Sequence, residues 1–185
     1  MRASQSLISL ASVLTLVVMI QITSGQSLIN LIRTCLDSAR DDPNIDYAFC
    51  TSSLQAATAP TLQGLNIISI TLLQNNITDT RCFIKQLIRN TTPEEPYLRE
   101  CLSDCLELFS DAIPSAKEAM RHFIMKRYDD ANVKISSIME GATTCEDGFK
   151  ERKGLVSPLT NRNHHVFELS AITLSLMHVI QTRSG

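Results

Sequence analysis

Six cysteines, Cys35, Cys50, Cys82, Cys101, Cys105 and Cys145, are the residues of this chain best suited to chemistry. A thiol can be a nucleophile, a metal ligand or half of a cross-link, and its neighbours decide which. Cys145 stands in "TTCEDGF", with Glu146 and Asp147 directly behind it. A nucleophilic cysteine needs its thiolate favoured by a nearby base or cation, and two adjacent carboxylates work the other way. Zinc-type ligation wants cysteine or histidine pairs at short spacing, and the chain has no C-x-x-C and no H-x-x-x-H. His164-His165 are neighbours on a helical segment and point about 100° apart, which suits a solvated helix start better than a metal pair. No G-x-S-x-G, phosphate loop or defensible Ser-His-Asp spacing occurs. The chain has no Trp and few aromatics, which speaks against a carbohydrate-stacking platform. No catalytic, metal or cofactor site is expected. Cross-linking is the chemistry that remains, and a secreted binding module is the expected class.

The N-terminus supports the cross-linking reading. Arg2 precedes a largely apolar run over 7–22 and then "QITSGQ", the pattern of a secretory leader with cleavage near Gly25/Gln26. The run is shorter than the roughly 20 residues of a membrane span, so no membrane anchor is expected. The expected division is a signal peptide over 1–25 and one domain over 26–185. All six cysteines lie after the cleavage point, in a compartment where disulfides are the default. Removing Arg2 changes 17 basic and 19 acidic residues to 16 and 19, a formal charge of −3. Nucleic acid and anionic membranes are therefore poor partners on electrostatic grounds. Asn76-Ile77-Thr78 and Asn90-Thr91-Thr92 are N-glycosylation sequons compatible with secretion.

The elements that position these cysteines follow from periodicity. Strand signals are nearly absent, whereas spacings of three and four recur. Ile70, Leu73, Ile77, Thr80, Ile84 and Leu87 make one apolar seam. "NTTPEEP" breaks it, and Leu98, Leu102, Cys105, Phe109, Ala112, Ala116, Ala119 and Phe123 make the next. Pro114 lies inside this second helix, where a kink is expected. Ala131, Ile135, Ile138, Ala142, Cys145 and Phe149 form a third seam. Val166, Leu169, Thr173, Leu176 and Ile180 form a fourth. The fold class is all-α: an antiparallel up-down-up-down four-helix bundle over 61–183. A helical hairpin over 26–58, with helices at 28–41 and 45–57 around "DDPN", precedes it.

In an antiparallel helix pair, facing residues are roughly symmetric about the turn. The midpoint of Cys35 and Cys50 falls in "DDPN", and that of Cys105 and Cys145 falls beside "KRYDD", between two helices. Cys105 and Cys145 also occupy apolar seams. Cys82 and Cys101 are symmetric about a linker too, but Cys82 shares a polar face with Asn75, Thr78, Lys85 and Arg89. These two are a possible third bridge or free thiols, and Cys101 competes with Cys105 for any partner. Chain entropy assigns about 3 kcal/mol to a 35–50 bridge and about 4 kcal/mol to 105–145.

Several stretches in combination carry a family resemblance: "LIRTCLDSARDDPNIDYAFC", "CLELFSDA" with "AKEAM", "DDANVKISS", and "ATTCEDGFKE" followed by "VSPLTNRNHHVFELSAITLSL". Together they resemble the plant invertase and pectin methylesterase inhibitor family over roughly residues 28–183, with a texture similar to its invertase-inhibitor-like pollen allergens. The resemblance implies a hairpin ahead of a disulfide-linked bundle, with bridges Cys35–Cys50 and Cys105–Cys145, which selects Cys105 over Cys101. It implies a monomeric protein that inhibits a plant carbohydrate-active enzyme in the cell wall (apoplast) or vacuole, invertase in one branch and pectin methylesterase in the other. Invertase inhibitors of that family carry Pro-Lys-Phe at the junction of the second and third bundle helices. Here the junction reads Lys126-Arg127-Tyr128, which keeps basic and aromatic character but lacks the proline. These three are the expected target-interface residues.

Overall fold

The computed structural model describes residues 28–184 except 56–58, 60, 93 and 152, together with positions 12, 15 and 19. The leader expected over 1–25 otherwise lies outside the described residues. Six helices follow from residue 28 on: α1 (28–41), α2 (Tyr47–Leu54), α3 (Leu62–Asn90), α4 (Pro96–Ile124), α5 (Tyr128–Lys150) and α6 (Thr160–Ser184). Among the described residues there is no strand. No helix among them is long and apolar enough to cross a membrane.

Local chemistry sets the helix starts. The Asp46 carboxylate accepts the Phe49 N–H at 2.7 Å, so α2 begins after Asp46, two residues later than periodicity alone places it. Thr61 accepts the Gly64 N–H at 3.0 Å to open α3. The fit around Gly64 is tight, since a Cβ there would lie 3.1 Å from the Ala59 Cβ. Pro96 opens α4, where its missing N–H costs nothing, and α4 continues through Pro114 as a single helix. Asp129 and Asp130 occupy the first turn of α5, where carboxylates suit the positive end of the helix dipole.

Helices α3 to α6 close a ring in which each packs on its sequence neighbour and α6 returns to α3, the up-down-up-down bundle. The seams point inward. In α5 all six seam residues are buried. In α4 Leu98 alone is only half-buried, and in α3 Leu87 alone. Helix α6 departs from the pattern of one buried stripe. Besides its seam it buries Asn163, Glu168, Ser170, Ala171, Ile172 and Met177.

The hairpin covers the part of that second face around Ala171 and Ile172. Leu31, Cys35, Ile45, Cys50 and Leu54 form a satellite core with Leu65 of α3 and Ala171, Ile172 and Leu176 of α6. Polar contacts set its position. The Ser175 hydroxyl donates to the Ser38 hydroxyl at 2.8 Å, and the Asp46 N–H donates to Glu168 Oε1 at 3.3 Å. Glu168 Oε2 meets His164 Nε2 at 3.1 Å, and His165 stacks on Phe49 with centroids 5.2 Å apart. Both histidines are exposed, as a helix start suggests; His165 ties α6 to α2, whereas His164 pairs within α6. Glu168→Ala is expected to lower stability by about 1–3 kcal/mol, since it deletes a buried acceptor and leaves its donor unmatched. Hydrogen exchange should show the loss of protection concentrated in the amides of Tyr47–Leu54. Unchanged protection in that segment would contradict the anchoring role of Glu168.

Candidate target-contact site

The junction between α4 and α5 is built by backbone geometry. Helix α4 ends in a left-handed residue, Lys126, with φ of 59°. The Lys126 N–H donates to the Phe123 carbonyl at 3.0 Å and the Arg127 N–H donates to the His122 carbonyl at 2.9 Å. That pair of bonds is a Schellman motif, and its left-handed position is normally glycine. Lys126 is the one non-glycine at positive φ among the described residues. A Cβ there costs about 1–2 kcal/mol.

The side chains of the junction divide into engaged and free. Tyr128 is half-buried, with its ring 5.5 Å from that of buried Phe123. Arg127 turns back along the first turn of α5, placing Nε 2.6 Å from Asp130 Oδ2. Lys126 is exposed, and its ammonium has no hydrogen-bond or ion-pair partner among the described residues. Ile124 and Met125, just before it, are 64% and 61% exposed. Sequence reading missed this apolar pair. The signal was available, since Ile124 and Met125 directly follow Phe123, the last residue of the α4 seam.

Behind the junction α4 and α5 are fastened together. Cys105 and Cys145 are bridged with Cα atoms 5.0 Å apart, and Cys35–Cys50 closes the hairpin at 5.7 Å. Lys134 Nζ meets Glu118 Oε2 at 2.6 Å across the same two helices. Its hydrogen bond and charge hold the Glu118 carboxyl below its ordinary value of 4.5. A depressed carboxyl stabilises the fold above its unfolded value, and this contribution is lost as pH falls through the lower folded value. At the far end of the junction Gln181 Nε2 donates to Asp129 Oδ1 at 2.9 Å, tying α6 to the start of α5.

Cys82 and Cys101 are free. Cys82 is exposed on α3, whereas Cys101 is buried with its thiol 3.5 Å from the Gly148 carbonyl. Burial pushes the Cys101 thiol up, and Asp104 adds to the shift. Cys101 therefore faces α5 about one turn from the Cys105–Cys145 bridge without joining it. The two sequons differ in kind. Asn76 is mid-helix, and its Nδ2, the atom a glycan would take, donates to the Leu72 carbonyl at 3.0 Å. Asn90 is exposed at the last position of α3.

A solvent-open cleft of about 390 Å³ lies between the end of α5 and the start of α6. Its carboxylates are committed to structure. Glu146 accepts from the Thr160 hydroxyl at 2.7 Å and from Asn163 Nδ2 at 2.8 Å, so it holds the N-terminus of α6, while Lys150 pairs with Asp147. "TCEDGF" is thus a structural element: Cys145 the bridge, Glu146 the anchor of α6, Phe149 part of the core.

Comparison with known proteins agrees with this architecture. The family model described as "Plant invertase/pectin methylesterase inhibitor" matches residues 30–176. A protein of Platanus acerifolia named "Putative invertase inhibitor" is 39% identical over 150 residues, covering 80% of this chain and 83% of its own length. Pectinesterase inhibitor 12 of Arabidopsis thaliana is 28% identical over 66% of this chain and 68% of its own. The crystal structure of a mutant form of a pectin methylesterase inhibitor from Arabidopsis shares the fold, with a TM-score of 0.65 at 23% identity over 71% of this chain and 88% of that one. With a hairpin, a disulfide-linked bundle and a family match over most of its length, the chain belongs to the plant invertase/pectin methylesterase inhibitor family, whose members are inhibitors of enzymes rather than enzymes.

Proposed function

We propose that this chain is a secreted, monomeric inhibitor of plant acid invertase that acts in the apoplast, with the vacuole as the other compartment its leader permits. The observation that carries the choice of target is the identity gap: 39% to a protein named for invertase inhibition against 28% to one named for pectinesterase inhibition. The α4–α5 junction around Lys126, Arg127 and Tyr128 is the contact region in this reading. It is the exposed end of two helices locked by a disulfide, and it offers cations to an enzyme class that works with paired carboxylates. A rigid scaffold presenting a short, preorganised tip loses little entropy on docking. Asn90 is the glycan site this reading favours.

The test is direct. Mature protein with both disulfides formed is assayed in mildly acidic buffer against cell-wall invertase, vacuolar invertase and pectin methylesterase. Stoichiometric loss of invertase activity at micromolar inhibitor is the expected result. Inhibition of pectin methylesterase alone would move the chain to the other branch. No inhibition of any of the three would leave a non-inhibitory helical bundle as the better reading.

A further inference from the structure

We infer that the cleft between the end of α5 and the start of α6 is a binding site for a small neutral polyol, a single sugar or cyclitol ring, held by the amide oxygen of Asn163. The cleft lies near the opposite end of α5 from the 126–128 junction, roughly 27 Å along the helix from Tyr128 to Glu146. It stands or falls independently of the inhibitor reading.

Two helical stripes form its walls. Thr160, Asn163 and Phe167 recur at spacings of three and four on α6, and Ala142, Glu146 and Lys150 recur at spacings of four on α5. The volume between them, about 390 Å³, falls within the range of small-molecule sites, about 300–1,000 Å³. Asn163 lines this cleft although it is only 2% exposed. Its Nδ2 donates to Glu146 Oε2 at 2.8 Å and reaches Cys145 Sγ at 3.3 Å. Those contacts fix which way the amide points, because turning it over would set its oxygen against a carboxylate oxygen. Oδ1 is then left without a partner among the described residues. A buried amide oxygen ordinarily accepts a hydrogen bond, so one that lines an open cleft calls for a donor the protein does not supply.

The rest of the lining defines that donor. Glu146 already accepts from Thr160 and Asn163, and Asp147 is paired with Lys150 at 2.8 Å. His164 is turned to Glu168 at 3.1 Å. Each charge in the cleft thus has an internal partner, and a charged ligand would be desolvated without gaining a counter-charge. A neutral hydroxyl fits: it donates to Oδ1 and accepts in turn from the exposed amide of Asn161. Half-buried Phe167 and buried Ala142 add an apolar wall on which the C–H face of a saturated ring packs. Hydroxyls around an apolar ring face are the makeup of a monosaccharide or cyclitol. The few aromatics of this chain argue against an extended stacking platform, and one phenyl ring beside an orphaned acceptor suits a single ring instead.

Titration of the isotope-labelled mature protein, disulfides intact, with glucose and with myo-inositol tests the site by NMR. A saturable shift is expected with a dissociation constant on the order of 1 mM, ordinary for about a dozen heavy atoms. It should centre on the Asn163 side-chain amide and the backbone amides of 142–150 and 160–167. Glucosamine and glucuronate, the same ring bearing a positive or a negative charge, should bind no more tightly. Asn163→Leu should weaken binding at least about tenfold, since it removes the acceptor. A melting curve checks that this variant folds, because it also loses the tie to Glu146. Where it does not fold, Phe167→Ala decides: it leaves Asn163 and Glu146 in place and should weaken binding about fivefold. No saturable shift with either polyol would mean that solvent alone meets Oδ1 and would overturn the assignment. Shifts centred elsewhere, tighter binding of a charged ring, or a folded variant at the deciding position that binds like wild type would overturn it equally.

Discussion

Replacing Cys105 and Cys145 together by alanine is expected to lower Tm by about 8–16 °C. The bridge spans 40 residues of sequence, and cross-linking that span removes loop entropy worth about 4 kcal/mol from the unfolded chain. For a domain of this size each kcal/mol moves Tm by about 2–4 °C. The double variant is the right one because Cys101 is buried one turn away on α4. Removing Cys105 alone would release Cys145 beside a free thiol and invite a substitute bridge. Cys82→Ala is the control: its side chain is exposed and unbridged, so its Tm should stay within about 2 °C of wild type. Thermal melts without reductant read both. A shift below about 3 °C for the double variant would show that packing, not the bridge, holds α4 on α5. Inhibition measured well below Tm should fall less than stability does, since the tip's own hydrogen bonds survive.

Phe109→Ala is expected to cost about 3–5 kcal/mol, comparable with the disulfide although no covalent bond is touched. Phe109 is 2% exposed and sits one turn along α4 from Cys105, in a helix whose other buried seam positions include Ala112, Ala116 and Ala119. Small residues let α3 come close enough for Gln74 to reach the Ala116 carbonyl at 3.0 Å. A helix pair already in close contact over that stretch cannot move inward to fill the space a phenyl ring leaves, so a cavity remains. Ile124→Ala on the same helix removes a large apolar side chain that is 64% exposed, and it should cost less than about 0.5 kcal/mol. Denaturant unfolding with unchanged m-value measures both. Similar costs at the two positions would contradict the division of α4 into a core seam and a surplus apolar tip.

The contrast between these two positions shows where sequence reading works. Cys105, Phe109 and Phe123 were legible because they recur at helical spacing, and a residue on that period has only one place to go. Ile124 and Met125 broke the period and carried no assignment. Their exposure depends on α4 ending at Ile124, which hydrogen bonds from Lys126 and Arg127 back to Phe123 and His122 enforce. The α4–α5 junction itself was placed correctly. The different settings of its two cations were not legible, because Lys126 and Arg127 are equivalent until one of them is paired with Asp130 and the other takes a positive φ.

Helix α6 shows the same boundary in the core. Its seam from Val166 to Ile180 could be read off the spacing. Glu168 could not be read as buried, since a carboxylate between buried residues is ordinarily a solvated one. It is covered because the hairpin lies along α6 and brings the Asp46 N–H to it, a contact 122 residues apart in sequence. By itself the sequence determined the class of fold, the four seams, the bridge partners once the family resemblance was in hand, and the position of the tip. The fold class, the seams and the tip rest on local periodicity, and the bridge partners on symmetry about a turn together with the resemblance. The tertiary structure decided what depends on two distant segments meeting or on a backbone angle at one residue: the second buried face of α6, the isolation of Cys101 beside a closed disulfide, and the left-handed turn at Lys126 next to a paired Arg127.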